Sequence, residues 1–416
     1  MLICICNLGE NRIGNHLQTV VNDLVSVLSE LEQGDFQSRW ETAKQIPNFG
    51  ESAIASLIDL LHKTPTDLEL QWFVARILGQ FDHADAVIAL VHLLQSTDDD
   101  DIAEIAAQML AQIGPQAVDA LAPLLQDPQS RTLVVPALAQ MQDAAIVPLL
   151  LSVVTDADVT VRITAIETLG RFHDPRIVPA LRQGLIDLNA KVRRVAIMSM
   201  SYRSQLFTEQ GQDPVALIAP LLNDLDLQVC QTAALALGRL ATDAAAQALQ
   251  TVASADLVPV PLKLTIVQAL GQIGNHQSVQ FLQKLWPHTT SSFQVFDDAD
   301  QMVAEAIIKA LTLNRQTAIQ VASVQALIHC LHHQPSPDLT LNKTIASALG
   351  QLGDTEAIPD LIRLLGIPDM GVRLHAIAAL KQIAPELSYI RLQALSEDDT
   401  VVEDVREGVA IALREW

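Results

Sequence analysis

One short pattern recurs along the chain and restricts its fold more than any other feature. A β-branched or small residue is followed by apolar residues three, four and seven positions on. Clear copies are AIASLIDLL (53–61), AVIALVHLL (86–94), RIVPALRQGL (176–185), SVQALIHCL (323–331) and AIPDLIRLL (357–365). Those offsets mark one stripe of a 3.6-residue helix, so each copy predicts an amphipathic helix with one buried face. The stripes start at Ile54, Val87, Val118, Ile146, Ile177, Val215, Ala245, Val279, Val324 and Ile358, at intervals of 28 to 45 residues. Each interval has room for one further helix.

That further helix has its own pattern. A polar or basic residue stands eight positions before a glycine: Arg162 and Gly170, Gln71 and Gly79, Cys230 and Gly238, Lys263 and Gly271, Asn342 and Gly350. Ala and Leu fill the positions between. Asp158 and Asp226 are placed to cap the helix start, and the glycine is placed near its end. Pro175 and Pro214 fall at the start of second helices, where a missing N–H costs nothing. Pro123 and Pro220 lie deeper and predict kinks.

Self-similarity at this period predicts an α-α solenoid. The expected architecture is all-α, a right-handed superhelix of about eleven helix pairs over 35–398. A lead-in at 1–16 is expected to be disordered or to reflect a misassigned start, followed by an N-terminal cap helix at 17–34. A charged C-terminal capping helix is expected at 399–416, and the long intervals place insertions at 202–214 and 287–300.

The D-x-x-V-R-x-x-A-x-x-x-L-G pattern, carried by Asp158, Val161, Arg162, Ala165, Leu169 and Gly170, resembles HEAT repeats of the short phycobilin-lyase type. The resemblance covers roughly 36–413. It implies a relative of bilin attachment lyases and chaperones, phycobilisome-degradation factors and scaffolds, found mostly in cyanobacteria and other phototrophs. It also implies that first helices line a convex side and second helices a concave one.

Composition narrows the function classes. With 48 acidic against 26 basic residues the formal charge is −22, a field that repels phosphate backbones and anionic membranes. No apolar run approaches the roughly 20 residues of a membrane span. Nucleic acid and membrane insertion are therefore not expected, and a cytoplasmic location is. Cys4, Cys6, Cys230 and Cys330 are few and scattered, as in a reduced protein.

Taking the concave face from the resemblance, the position five residues after each stripe start forms a column. It reads Asp59, His92, Pro123, Leu151, Arg182, Pro220, Gln250, Lys284, His329, Arg363. Arg182, Lys284 and Arg363, with His92 and His329 beside them, are the candidate anchors for an acidic protein surface or carboxylate ligand. Ten positions drawn by chance also show such an excess of cations, so the column carries both readings. Phe293 and Phe296, in a polar insertion, are either exposed contact points or packed on the adjacent helix.

Arg162, Arg193 and Arg373, with Lys263 standing in, recur at one repeat position and predict a structural ladder pairing with Asp158 and its counterparts. The acidic clusters, Asp98 to Asp101 among them, read chiefly as helix caps. None of the 11 histidines is followed by Glu, which disfavours the His-Glu di-iron chemistry of the HEAT-like deoxyhypusine hydroxylases. His329, Cys330, His332 and His333 have possible metal spacing, but the site lacks further ligands. No phosphate-binding loop, dinucleotide fingerprint or nucleophile elbow occurs. Trp40, Trp72 and Phe73 are expected in the core. The expected function is therefore a protein-binding scaffold without catalytic residues or cofactor, with a phycobiliprotein as the partner suggested by the resemblance. A bilin lyase or its non-catalytic half is the alternative.

Overall fold

The computed structural model describes residues 23–255, 257–287, 298–313, 317–334 and 338–416. The lead-in at 1–16, Cys4, Cys6, Phe293 and Phe296 lie outside the described residues, as do the first residues of the expected N-terminal cap helix. Among the described residues the chain is all-helical, without strands, and its helices form eleven successive pairs. It divides into two compact units, Met1–Gly184 and Leu185–Trp416.

In the first unit a helix over 23–33 precedes five pairs. First helices include Phe36–Ala43, Leu68–Leu78, Asp100–Ile113, Pro128–Gln140 and Val159–Leu169, and second helices include Ile54–Lys63 and Ala84–Ser96. The second unit holds six pairs, from Ala190–Tyr202 to Pro385–Ser396. A final helix, Glu403–Arg414, packs on the last two pairs.

The periodicity explains the pairing. Val159–Leu169 buries Val161, Ala165, Ile166 and Leu169, and Val178–Gly184 buries Val178, Ala180 and Leu181. Each buried Leu, Ile or Val contributes roughly 1.5–3 kcal/mol of transfer free energy. No single pair encloses a core, so stability comes from stacking pair on pair. The Asp158 side chain accepts from the N–H groups of Thr160 and Val161, and Asp226 does the same for Gln228 and Val229. Pro175 and Pro214 occupy the first positions of their helical segments. At Pro123 and just before Pro220 the α-helix gives way to a 3-10 turn, at Pro123–Gln126 and Ala219–Asn223. The expected kinks therefore take the form of a change in helix type.

Two expectations need correction. The recurrent glycine is mainly a packing residue. Gly238, Gly271 and Gly350 lie inside their helices, and Gly79 and Gly170 end theirs in right-handed geometry. A Cβ on Gly238, Gly271 or Gly350 would fall within 3.0 Å of Ala269, Ala310 or Ala379 of the next first helix. The left-handed caps are instead Gly274, Gly353 and Ala241.

The arginine ladder exists, but its partners differ from those expected. Asp158 caps its own helix, and Arg162 donates to the carbonyls of Asp156 and Ala157, at 2.8 and 3.2 Å. Arg193 likewise reaches the carbonyls of Asp187 and Leu188, then forks onto Asp224 at 2.7 and 2.8 Å. Asp224 stands two residues before the next cap, Asp226, and accepts its N–H. Arg131 pairs with Asp156 in the same way, and Arg39 with Asp67 and Glu69. The Arg39, Arg131 and Arg193 guanidinium groups thus tie the end of one repeat to the start of the next.

Candidate functional site

The second helices carry the predicted anchors, and the structure separates them by environment. In the first unit, Arg182 and His92 are solvent-exposed. In the second unit, Lys284 is exposed, with its ammonium 5.7 Å from the Phe281 ring, and it shares a small depression with Gln280, Gln283 and His329. Arg363 donates to Asp360 at 2.9 Å, and the same buried carboxylate meets His332 Nε2 at 2.8 Å. Arg363 is therefore paired within its own helix, although its side chain stays 70 % exposed. His329 and His333 stack at 3.8 Å, and His333 Nδ1 lies 2.8 Å from the His329 carbonyl. No group of three potential metal ligands occurs among the described residues. The Cys330 thiol is buried and pushed far up in pKa by its surroundings, and burial raises Cys230 as well, so neither is a reactive thiolate.

A trough of about 800 Å3 lies in the first unit, between helices Ile54–Lys63 and Ala84–Ser96 and the connections that follow them. Its apolar lining includes Ile58, Leu61, Pro65, Leu68, Ile88 and Leu93. Ile88 is 63 % exposed, and a solvent-facing isoleucine among apolar neighbours marks a surface without its covering. His62 and His92 meet edge to face at 5.8 Å on the same lining.

Asp85, Asp98 and Asp99 complete the border, and no Lys or Arg lines the trough. Their engagement differs. Asp99 caps the following helix through the N–H groups of Asp101 and Ile102. Asp85 has only the His83 ring at 3.8 Å, and the Asp98 carboxylate has no hydrogen-bond or ion-pair partner among the described residues. The Gln71 amide, also on the lining, is held by the Pro65 carbonyl at 2.9 Å. Uncompensated negative charge thus borders an apolar floor.

Sequence reasoning found His92 but missed this arrangement. Ile58 and Leu61 are stripe positions and were assigned to the core, yet both are left half-exposed. Ile88, one residue after a stripe start, was the available signal, being a β-branched apolar residue at an outward position. The aromatic group also departs from expectation. Phe73 is buried, whereas Trp40 and Trp72 are half-exposed under the Arg76 guanidinium, at 5.6 and 4.8 Å.

Comparison with known proteins follows from this geometry. The family model for HEAT repeats matches residues 23–111, 118–201 and 324–414. No curated protein sequence matches the chain. Among solved structures, Kap121p bound to Ste12p is similar at 16 % identity and a TM-score of 0.59, covering 95 % of this chain and 48 % of that one. Kap95p, from a complex with RanGDP, is similar at 14 % identity and a TM-score of 0.56, covering 94 % and 60 %. The chain therefore spans about half the length of the first and three fifths of the second. The CpcE–CpcF phycocyanin lyase of Nostoc sp. PCC7120 gives 17 % identity, a TM-score of 0.32 and coverage of 65 % and 94 %, an overlap that carries no argument.

Proposed function

The chain belongs to the HEAT-repeat family, and from that premise we propose that it is a non-enzymatic scaffold that docks a protein partner on its second helices. The observation that carries this reading is the trough between Ile54–Lys63 and Ala84–Ser96, where exposed Ile88 belongs to an apolar floor that no described residue covers. Apolar pockets of this size, with a few polar groups on the border, suit the anchor side chains of a partner. A stacked-repeat frame holds such a contact in place because each pair is braced by its neighbours. Kap121p and Kap95p, similar in fold, are seen in complexes with Ste12p and with RanGDP. Protein binding along such a frame is thus physically practicable.

The finer proposal takes its direction from the repeat consensus: a cytoplasmic role in phycobilisome assembly or turnover, with a phycobiliprotein as partner. The test is tagged capture from phototroph lysate with wild-type chain and Ile88→Glu in parallel. A partner recovered by wild type and lost with Ile88→Glu supports docking at the trough. Equal recovery by both removes it. Phycobiliproteins in the wild-type eluate alone would support the phycobilisome setting, and a bilin held by the chain itself after its partner is washed away would favour the lyase alternative.

A further inference from the structure

Resting on the docking reading, we infer that the trough of the first unit takes a cationic–apolar segment of the partner: large aliphatic side chains flanked by Lys or Arg. The floor, formed by Ile58, Leu61 and Ile88, calls for aliphatic anchors. The border decides the charge. Its members include Asp85 and Asp98, whose carboxylates meet no Lys or Arg among the described residues, and no described Lys or Arg lines the cavity. An acidic segment would bring like charges together across a partly dehydrated border, whereas Lys or Arg there satisfies both carboxylates.

This reverses the expectation of an acidic partner drawn from the column of second-helix cations. That column drew on Arg363, which its own Asp360 engages, on Lys284, which lies in the other unit, and on Arg182, which is exposed in the first unit but is not part of the trough's lining. A second copy of this chain is disfavoured as occupant, because two chains of formal charge −22 repel.

The experiment is fluorescence anisotropy of the full chain with three labelled 14-residue peptides. One carries two Leu separated by three residues and flanked by Lys and Arg. The second has Glu in place of every Lys and Arg, and the third has Ala in place of both Leu. The first is expected to bind, with affinity falling as salt rises from about 50 to 200 mM, because exposed charge pairs are screened. Ile88→Glu should weaken it by tenfold or more. Asp85→Asn and Asp98→Asn should each weaken it about threefold. The Glu and Ala peptides should bind at least tenfold more weakly.

Circular dichroism and a thermal melt check that Ile88→Glu keeps its fold, as the exposure of Ile88 predicts. Binding of the Glu peptide equal to or tighter than that of the Lys/Arg peptide, with sensitivity to Ile88→Glu retained, overturns the cationic occupant and leaves the docking reading standing. Indifference of both peptide binding and partner capture to Ile88→Glu overturns both. Failure of the Lys/Arg peptide to bind at about 1 mM, while Ile88→Glu still abolishes partner capture, overturns the cationic occupant alone.

Discussion

In the first unit Ile58, Leu61 and Ile88 open onto a trough bordered by Asp85 and Asp98. In the second, several charges near the ends of the second helices are engaged within the stack. There Asp224 receives the Arg193 fork, Asp360 holds both Arg363 and His332, and Asp369 meets Lys343 at 3.1 Å. Both units share the ladder, since Arg39–Asp67 and Arg131–Asp156 do in the first what Arg193–Asp224 does in the second. The difference lies in what remains after the ladder is built. Carboxylates inside it hold repeat on repeat, and those outside it, at the trough, are available to a partner.

Packing differs in the same sense. Gly238, Gly271 and Gly350 bring successive first helices of the second unit to backbone contact. Gly79 of the first unit instead faces the Met109 side chain, whose Cβ would lie 2.7 Å from an added Cβ, so the neighbouring helix itself has to give.

The largest expected effect breaks the second unit alone. A Cβ on Gly408 would fall 2.0 Å from the Leu365 carbonyl oxygen, so the final helix must shift to accept Ala. Gly408→Ala should cost about 3 kcal/mol, read in urea unfolding as an earlier transition for the second unit, with the trough's peptide affinity unchanged.

Arg193→Met should cost about 2 kcal/mol, because it leaves Asp224 half-buried and unpaired. Burial pushes the Asp224 carboxyl up, but the Arg193 guanidinium and the Asp226 N–H together bring it below the ordinary carboxylate value. A lowered folded pKa gives stabilisation that is complete above the unfolded value of about 4 and is lost as pH falls through the folded one. The stability gap between wild type and Arg193→Met should therefore be flat from pH 6 to 8 and close below about pH 4. A gap that widens on acidification would contradict the ladder.

Ile88→Glu should act in the opposite place, weakening the Lys/Arg peptide by tenfold or more, roughly 1.4 kcal/mol, while leaving unfolding within about 0.5 kcal/mol. The smallest effect sharpens the packing contrast. Gly79→Ala, opposed by the Met109 side chain from Cβ to sulfur, should cost about 1 kcal/mol, less than Gly408→Ala because no backbone carbonyl stands in the way. A loss as large as that of Gly408→Ala would show that the two units stack with the same tolerance.

Much of the fold was legible because helical periodicity is a local property. The stripes, the caps at Asp158 and Asp226, the proline changes and the repeated arginine could all be read residue by residue. What was missed depends on neighbours in space. A glycine near a helix end looks like a cap until Ala269 or Ala310 is known to lie against it. Its signal was the pairing of each glycine with an alanine in the following first helix. The ladder's acidic partner was hidden by Asp158 itself, the nearer carboxylate, although the Asp-x-Asp spacing at 156–158 and 224–226 was present to be read. The trough was least legible, because stripe residues are buried in most pairs and Ile58 and Leu61 are left half-open only by the way two particular pairs meet.

The most direct measurement is photo-cross-linking from benzoylphenylalanine placed at position 88, with position 188 of the second unit as control, in the presence of the Lys/Arg-flanked peptide. Efficient cross-links from position 88 to the peptide's leucines, reduced on Asp85→Asn with Asp98→Asn at subsaturating peptide and absent from position 188, are the predicted result. Equal yields from both positions, or no yield from 88 while the peptide is bound, would contradict the assignment of the trough as the partner's docking site.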